Sequence, residues 1–359
     1  MADFKPRCRP LLIGSIPLAD PEAAVELVLR YTPEIPIWPQ LPLRPQEKMI
    51  PQFLPGLPGL TQSGDRIAVQ NSGDTYDQEL VSFYETYMAL TEGVIGLEDA
   101  YSRIEPDMAK GLYALLRRLD GLSPGPSAVK GQVTGPITLC MGTKDAENRA
   151  IFYDAQLRDA AVKLLTLKAR WQIQRLGGPE RPVIIFIDEP GLAGFGSSEM
   201  ISISAEEIHA CLSEVIEGIH AEGGLAGIHV CANTDWGMVM DTGVDIVNFD
   251  AFAYFDRFIL FSDHIRRFIQ RGGMVAWGIV PTLNAEDIEK ENAASLTARF
   301  EEEVSSIASI GFDPKIVKEQ SFITPACGVG SLTLSLAERV LSLTREVSDS
   351  VRADLSNTK

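Results

Sequence analysis

A histidine and a cysteine stand two residues apart in GIHVCANTDWG, as His229 and Cys231. Side chains two apart on a β-strand point to the same face, so this imidazole and thiol look into one cavity and can share a metal ion. Another thiol, Cys327, lies in TPACGVGS. One histidine, two cysteines and a carboxylate make a borderline-soft donor set that suits Zn²⁺ better than Mg²⁺ or Ca²⁺. Asp250, directly after the apolar run that ends at Phe249, is the candidate carboxylate, either as a fourth ligand or as the partner that orients the histidine. The competing use of His229 and Cys231 is packing, because cysteine is among the most buried residue types and histidine is often a satisfied core residue.

Asp188 and Glu189, in IIFIDEPGL, follow a run of apolar residues where core packing does not account for charge. Both are candidate catalytic groups, and Asp188 is a candidate anchor for a cationic group such as a substrate ammonium. The alternative is that one of them caps the following turn or pairs with an arginine. Gly14 and Ser15 offer backbone and hydroxyl donors to a carboxylate, although the glycine also serves simply to close a turn. Trp38 and Trp277 either line a pocket or fill the interior. Cys8, Cys140 and Cys211 have no metal-binding neighbours in the sequence, and Cys140 and Cys211 are read as packing residues; His209, His220 and His264 fall in helical patterns and are read as surface residues.

These groups need a scaffold. Short β-branched runs at 10–16, 35–38, 128–134, 183–187, 225–231, 245–249, 274–280 and 321–324 alternate with segments of helical period. Helix starts are written at Asp20-Pro-Glu, in the capping box Ser204-Ala-Glu-Glu207 and at Asn284-Ala-Glu-Asp287. Eight strands alternating with helices point to an α/β fold, a (β/α)8 TIM barrel, in which reactive groups gather where strands end and loops begin. Thr134, Asp188, His229, Asp250, Thr282 and Cys327 all fall there. A single catalytic domain is expected over 1–347, with a long, partly helical insertion after the second strand at about 41–127. That insertion opens with proline-rich PQLPLRPQEKMIPQFLPGLPGL, carries helical patterns at 76–90 and 106–119, and is positioned to cover one mouth of the barrel. Residues 348–359 read as a solvated tail.

Composition narrows the function classes. The 359 residues are 45% hydrophobic and 23% charged, as in an ordinary globular protein. With 32 Lys+Arg against 49 Asp+Glu the net charge is −17, which repels phosphate backbones and anionic lipid surfaces. Nucleic acid and membrane are therefore not expected partners. No apolar run approaches the roughly 20 residues of a membrane helix, and Met1-Ala-Asp-Phe-Lys has no signal-peptide core, so the expected location is cytoplasmic. Five scattered cysteines do not make a disulfide framework.

LLIGSIP, VKGQVTGPITL, IIFIDEPGL, GIHVCANTDWG and ITPACGVGS, in this order, resemble the catalytic barrel of cobalamin-independent methionine synthase. HVCANTDWGMVMDTGVDIVNFDAF is also similar to part of the uroporphyrinogen decarboxylase superfamily, especially its zinc-dependent methyl-corrinoid:coenzyme M methyltransferases. The resemblance spans about residues 10–340. It implies a zinc site that activates a thiol substrate for methyl transfer, with His229, Cys231 and Cys327 as ligands and Asp250 where the family has a glutamate ligand. Ile13, Gly14 and Ser15 match the segment that holds the homocysteine carboxylate, Asp188 matches the aspartate near its amino group, and Glu85, in FYETYM, is the candidate for a second acidic contact. The departures concern folate: the amino-terminal barrel of the long enzymes is absent, the seventh loop reads GIVPTLNAEDIE without the family's histidine, and Cys140-Met141-Gly142 replaces a tryptophan. The resemblance thus implies a short single-barrel methyltransferase, forming methionine from homocysteine, whose donor is a methylated corrinoid, free or carried on a corrinoid protein. A coenzyme M-type methyltransferase, a metal-free decarboxylase and a non-catalytic zinc- or corrinoid-binding accessory protein are the alternatives.

Overall fold

A computed structural model describes residues 4–63, 66–178, 181–195, 200 and 202–357. Its strands are β1 (Arg9–Pro10), β2 (Leu60–Ser63), β3 (Arg66–Val69), β4 (Val129–Thr134), β5 (Val183–Asp188), β6 (Leu225–Val230), β7 (Ile246–Phe249), β8 (Met274–Val280) and β9 (Ser321–Pro325). The helices of the first half are α1 (Pro21–Tyr31), α2 (Asp74–Thr91), α3 (Lys110–Leu119), α4 (Pro136–Gly142) and α5 (Ala155–Leu176). Those of the second half are α6 (Ala205–Ala221), α7 (Trp236–Asp241), α8 (Ala251–Phe258), α9 (Ser262–Gln270), α10 (Ala285–Lys290), α11 (Ala293–Ala308), α12 (Pro314–Glu319) and α13 (Leu334–Asn357). No helix among the described residues is long and apolar enough to cross a membrane.

Seven strands form one all-parallel sheet in the order β1-β9-β8-β7-β6-β5-β4, curled and surrounded by helices. Strands β4 to β9 are buried along their whole length, which parallel strands covered on both faces require. Trp38 and Trp277 are fully buried, with indole N–H groups donating to Gln172 Oε1 and Ser321 Oγ at 2.8 Å each, so both fill the interior. The capping box at Ser204 and Glu207 forms as the sequence predicts, and Asp20 caps α1 by accepting from Glu22 N at 3.0 Å.

The expected second strand is a correction. Residues 35–38 form no strand, because Pro33, Pro36 and Pro39 lack the N–H groups a ladder needs. The segment makes isolated parallel bridges to both sheet edges instead, Ile37 to Lys130 and Gln40 to Ser15. The first strand is likewise shorter than expected: only Arg9–Pro10 is regular, though Leu11 N still donates to Ile323 O at 2.9 Å.

The insertion carries α2 and α3 close to the expected helical patterns, and it adds the antiparallel hairpin β2-β3, which sequence pattern alone did not suggest. Part of it lies over the carboxyl end of β4, where Thr134 Oγ1 donates to Met49 O at 2.6 Å. The solvated tail is a second correction. Helix α13 continues to Asn357, Ser348 and Val351 are fully buried, and Ser348 Oγ donates to Cys8 O at 2.7 Å. Arg345 and Arg352 both pair with Glu34, at 2.8 and 2.9 Å. Their charges made the segment look solvated, whereas its apolar stripe packs on the first strand; Thr358 and Lys359 lie outside the described residues.

Candidate metal centre

Parallel pairing aligns the polar residues at the strand ends. Thr134 pairs with Asp188, Asp188 with His229, and His229 with Asn248, so β4 to β7 present one layer of polar side chains. Cys231 follows β6 and Cys327 follows β9. The ligand atoms of His229, Cys231 and Cys327 all lie within 4.8 Å of one another, in the one group of this kind among the described residues.

His229 Nε2 stands 3.7 Å from Cys327 Sγ. Ligands at the usual Zn–N and Zn–S distances, placed at tetrahedral angles, are separated by about 3.6 Å. The imidazole is also prepared on its far side. Asn248 Nδ2 donates to Ala276 O at 2.7 Å and to Thr324 Oγ1 at 3.0 Å, which turns its Oδ1 towards His229 Nδ1. Nδ1 therefore carries the proton, and Nε2 offers a bare lone pair to the thiol side. Burial lowers the His229 pKa to about 4, so the ring is neutral at pH 7, as a metal ligand must be. The hydrogen bond from Cys327 holds Cys231 below the ordinary thiol range, while the same bond and burial push Cys327 up. Two adjacent thiols and a neutral imidazole are a donor set that fits zinc.

Asp250 does not join this group. Its Oδ1 accepts from Ala253 N at 2.9 Å and caps α8. Three candidate ligands are one fewer than a closed structural zinc site uses, and are the number that catalytic zinc sites use.

The two adjacent carboxylates separate in role. Glu189, expected as a catalytic group, has both oxygens occupied: Oε1 accepts from Ile137 N at 2.8 Å, and Oε2 accepts from Thr138 N at 2.9 Å and Thr138 Oγ1 at 2.6 Å. It clamps the start of α4, favourable ground for an anion. Gly135 is required beside it, because a Cβ there would lie 2.0 Å from the Glu189 carboxyl carbon. Glu189→Gln is expected to lower stability by about 1–3 kcal/mol in urea unfolding while leaving metal content unchanged, since an amide cannot accept from all three donors. Asp188, by contrast, has a buried Oδ1 with no hydrogen-bond partner. Burial pushes its carboxyl up, and the buried Lys130 ammonium opposes that shift.

Of the residues matched to a substrate carboxylate, Ile13 and Gly14 are buried, and Ser15 Oγ accepts from Gly330 N at 3.1 Å, which leaves its own proton free to donate. Glu85 is exposed on α2, next to Tyr84, whose hydroxyl donates to Asp159 on α5 at 2.6 Å. Cys8, Cys140 and Cys211 are buried, as packing predicts. His220 is half-buried rather than free at the surface, with Nε2 2.8 Å from Asp245 Oδ2. Two residues that sequence reasoning passed over are Asn248 and Lys130. Their signal was a polar side chain inside IVNF and VKGQVT, strands that should read apolar. No family model matches the chain, and no curated protein is significantly similar to it.

Proposed function

We propose that the chain is a zinc-dependent methyltransferase of (β/α)8 type that methylates a thiol, homocysteine before coenzyme M, with a methylated corrinoid as donor. The observation that carries this reading is the His229, Cys231 and Cys327 group, with its oriented imidazole. Zinc bound there supplies a Lewis acid that favours the thiolate form of a thiol at neutral pH.

The chain's own residues do the rest. Asn248 holds the His229 proton at Nδ1 and keeps Nε2 free. Asp188, with its unpartnered Oδ1, accepts from the ammonium of an amino-acid thiol, while the Ser15 hydroxyl donates to the carboxylate. The near-complete burial of Asp188 and His229 excludes water and strengthens these contacts. The loop GIVPTLNAEDIE without a histidine and Cys140-Met141-Gly142 in place of a tryptophan favour a corrinoid donor, and the segment around Met49, over the end of β4, forms part of the donor-facing rim.

The test is elemental analysis followed by methyl transfer. Purified protein is expected to hold about one zinc per chain and to convert homocysteine to methionine with methylcobalamin, read by mass spectrometry. Full activity after chelation and removal of the metal would overturn the reading. So would bound metal without methyl transfer to homocysteine or coenzyme M, which favours an accessory protein.

A further inference from the structure

Lys130 is fully buried inside the sheet, an unusual place for an ammonium, and among the described residues no carboxylate is in salt-bridge contact with it. Its Nζ donates to Ile13 O and, at 3.3 Å, to Gln132 Oε1, and it stands 4.4 Å from the centre of the Phe186 ring. Its backbone pairs with the irregular proline segment: Lys130 N donates to Pro36 O at 3.0 Å and Trp38 N donates to Lys130 O at 3.3 Å. The side chain therefore reaches past the one stretch where prolines leave the sheet without a regular strand, and it bonds the chain on the far side.

What it bonds is the turn on which the Cys327 loop rests. Ser15 O accepts from Val329 N at 3.1 Å, and Ser15 Oγ accepts from Gly330 N at 3.1 Å. The contact is close enough that a Cβ at Gly328 would come within 2.2 Å of Ser15 Oγ. We propose that Lys130 is a positioning residue for the metal centre: it stitches β4 across the proline segment to the Ile13–Ser15 turn, and that turn sets where the loop holds Cys327. The inference rests on the metal-centre reading above.

Cobalt(II) is the probe, because thiolate-to-cobalt absorption reports the ligand geometry directly. Wild type, Lys130→Met and Ser15→Ala are titrated with Co²⁺ and then Zn²⁺, with circular dichroism and urea unfolding in parallel. Lys130→Met is expected to bind about 10–100-fold more weakly with altered thiolate absorption, and Ser15→Ala to shift in the same direction by less, as residues supporting a ligand do. A Lys130→Met protein that is less stable to urea but has wild-type affinity and absorption would make the lysine merely structural and overturn the inference. Should that variant not fold, Ser15→Ala with wild-type binding overturns it. Absence of metal binding by wild type would defeat the metal-centre reading itself, and the inference with it, whereas wild-type binding by the variants defeats the inference alone.

Discussion

Cys231→Ser and Cys327→Ser are each expected to purify with far less than stoichiometric zinc and to lose the proposed methyl transfer. The magnitude follows from ligand chemistry. Apparent zinc affinities of about 10–16 kcal/mol, shared among three or four ligands, make each worth about 3–5 kcal/mol, or roughly 10²–10³-fold or more in affinity. A serine hydroxyl stays protonated at neutral pH and replaces a thiolate poorly. The control is Cys211→Ser on α6, a buried thiol outside the group, which keeps its zinc. Competition with a chromophoric chelator measures the difference. Retention of wild-type zinc affinity by both Cys231→Ser and Cys327→Ser would reduce the thiols to packing residues.

The second large effect concerns Asp188. Asp188→Asn is nearly isosteric, so zinc content is expected to hold; the unfolding midpoint falls, because the buried Lys130 ammonium loses its nearby counter-charge, and the carboxylate that meets a substrate ammonium is gone. Removing one partner of a buried charge pair costs about 3–5 kcal/mol, so kcat/KM for homocysteine should fall by roughly 10²–10³-fold or more. Coenzyme M, a thiol with no ammonium, provides the comparison, and its rate should change little. Equal loss for both thiols would assign Asp188 to support of the neighbouring His229, its partner in strand register, and not to substrate binding.

The strands that bear the chemistry were legible because parallel strands buried on both faces leave uninterrupted β-branched runs; β8 falls on the residues its pattern indicates. The pairing of His229 with Cys231 follows from a strand's two-residue period, and Cys327 from its place after the last strand. Where reading failed, competing physics was hidden in tertiary contacts. Nothing near Glu189 in sequence announces that Ile137 and Thr138 supply its donors, or that Asp250 is needed by its own following helix. Glu85 was placed by residue type alone, and α2 holds it at the surface. The proline-flanked segment at 35–38 reads as a strand by hydrophobicity and fails as one for want of donors.

The partner of β1 has a consequence for synthesis. Arg9 pairs with Phe322, so the first strand emerges from the ribosome long before its neighbour exists. At about 5–20 residues per second the interval is on the order of 15–60 s, during which that edge is unpaired. His229 and Cys231 are made well before Cys327, so the metal group is complete only once this same late segment has arrived. If the group holds zinc as proposed, loading is a late event in the life of the nascent chain, and brief zinc starvation is expected to strand newly made molecules while sparing those already assembled.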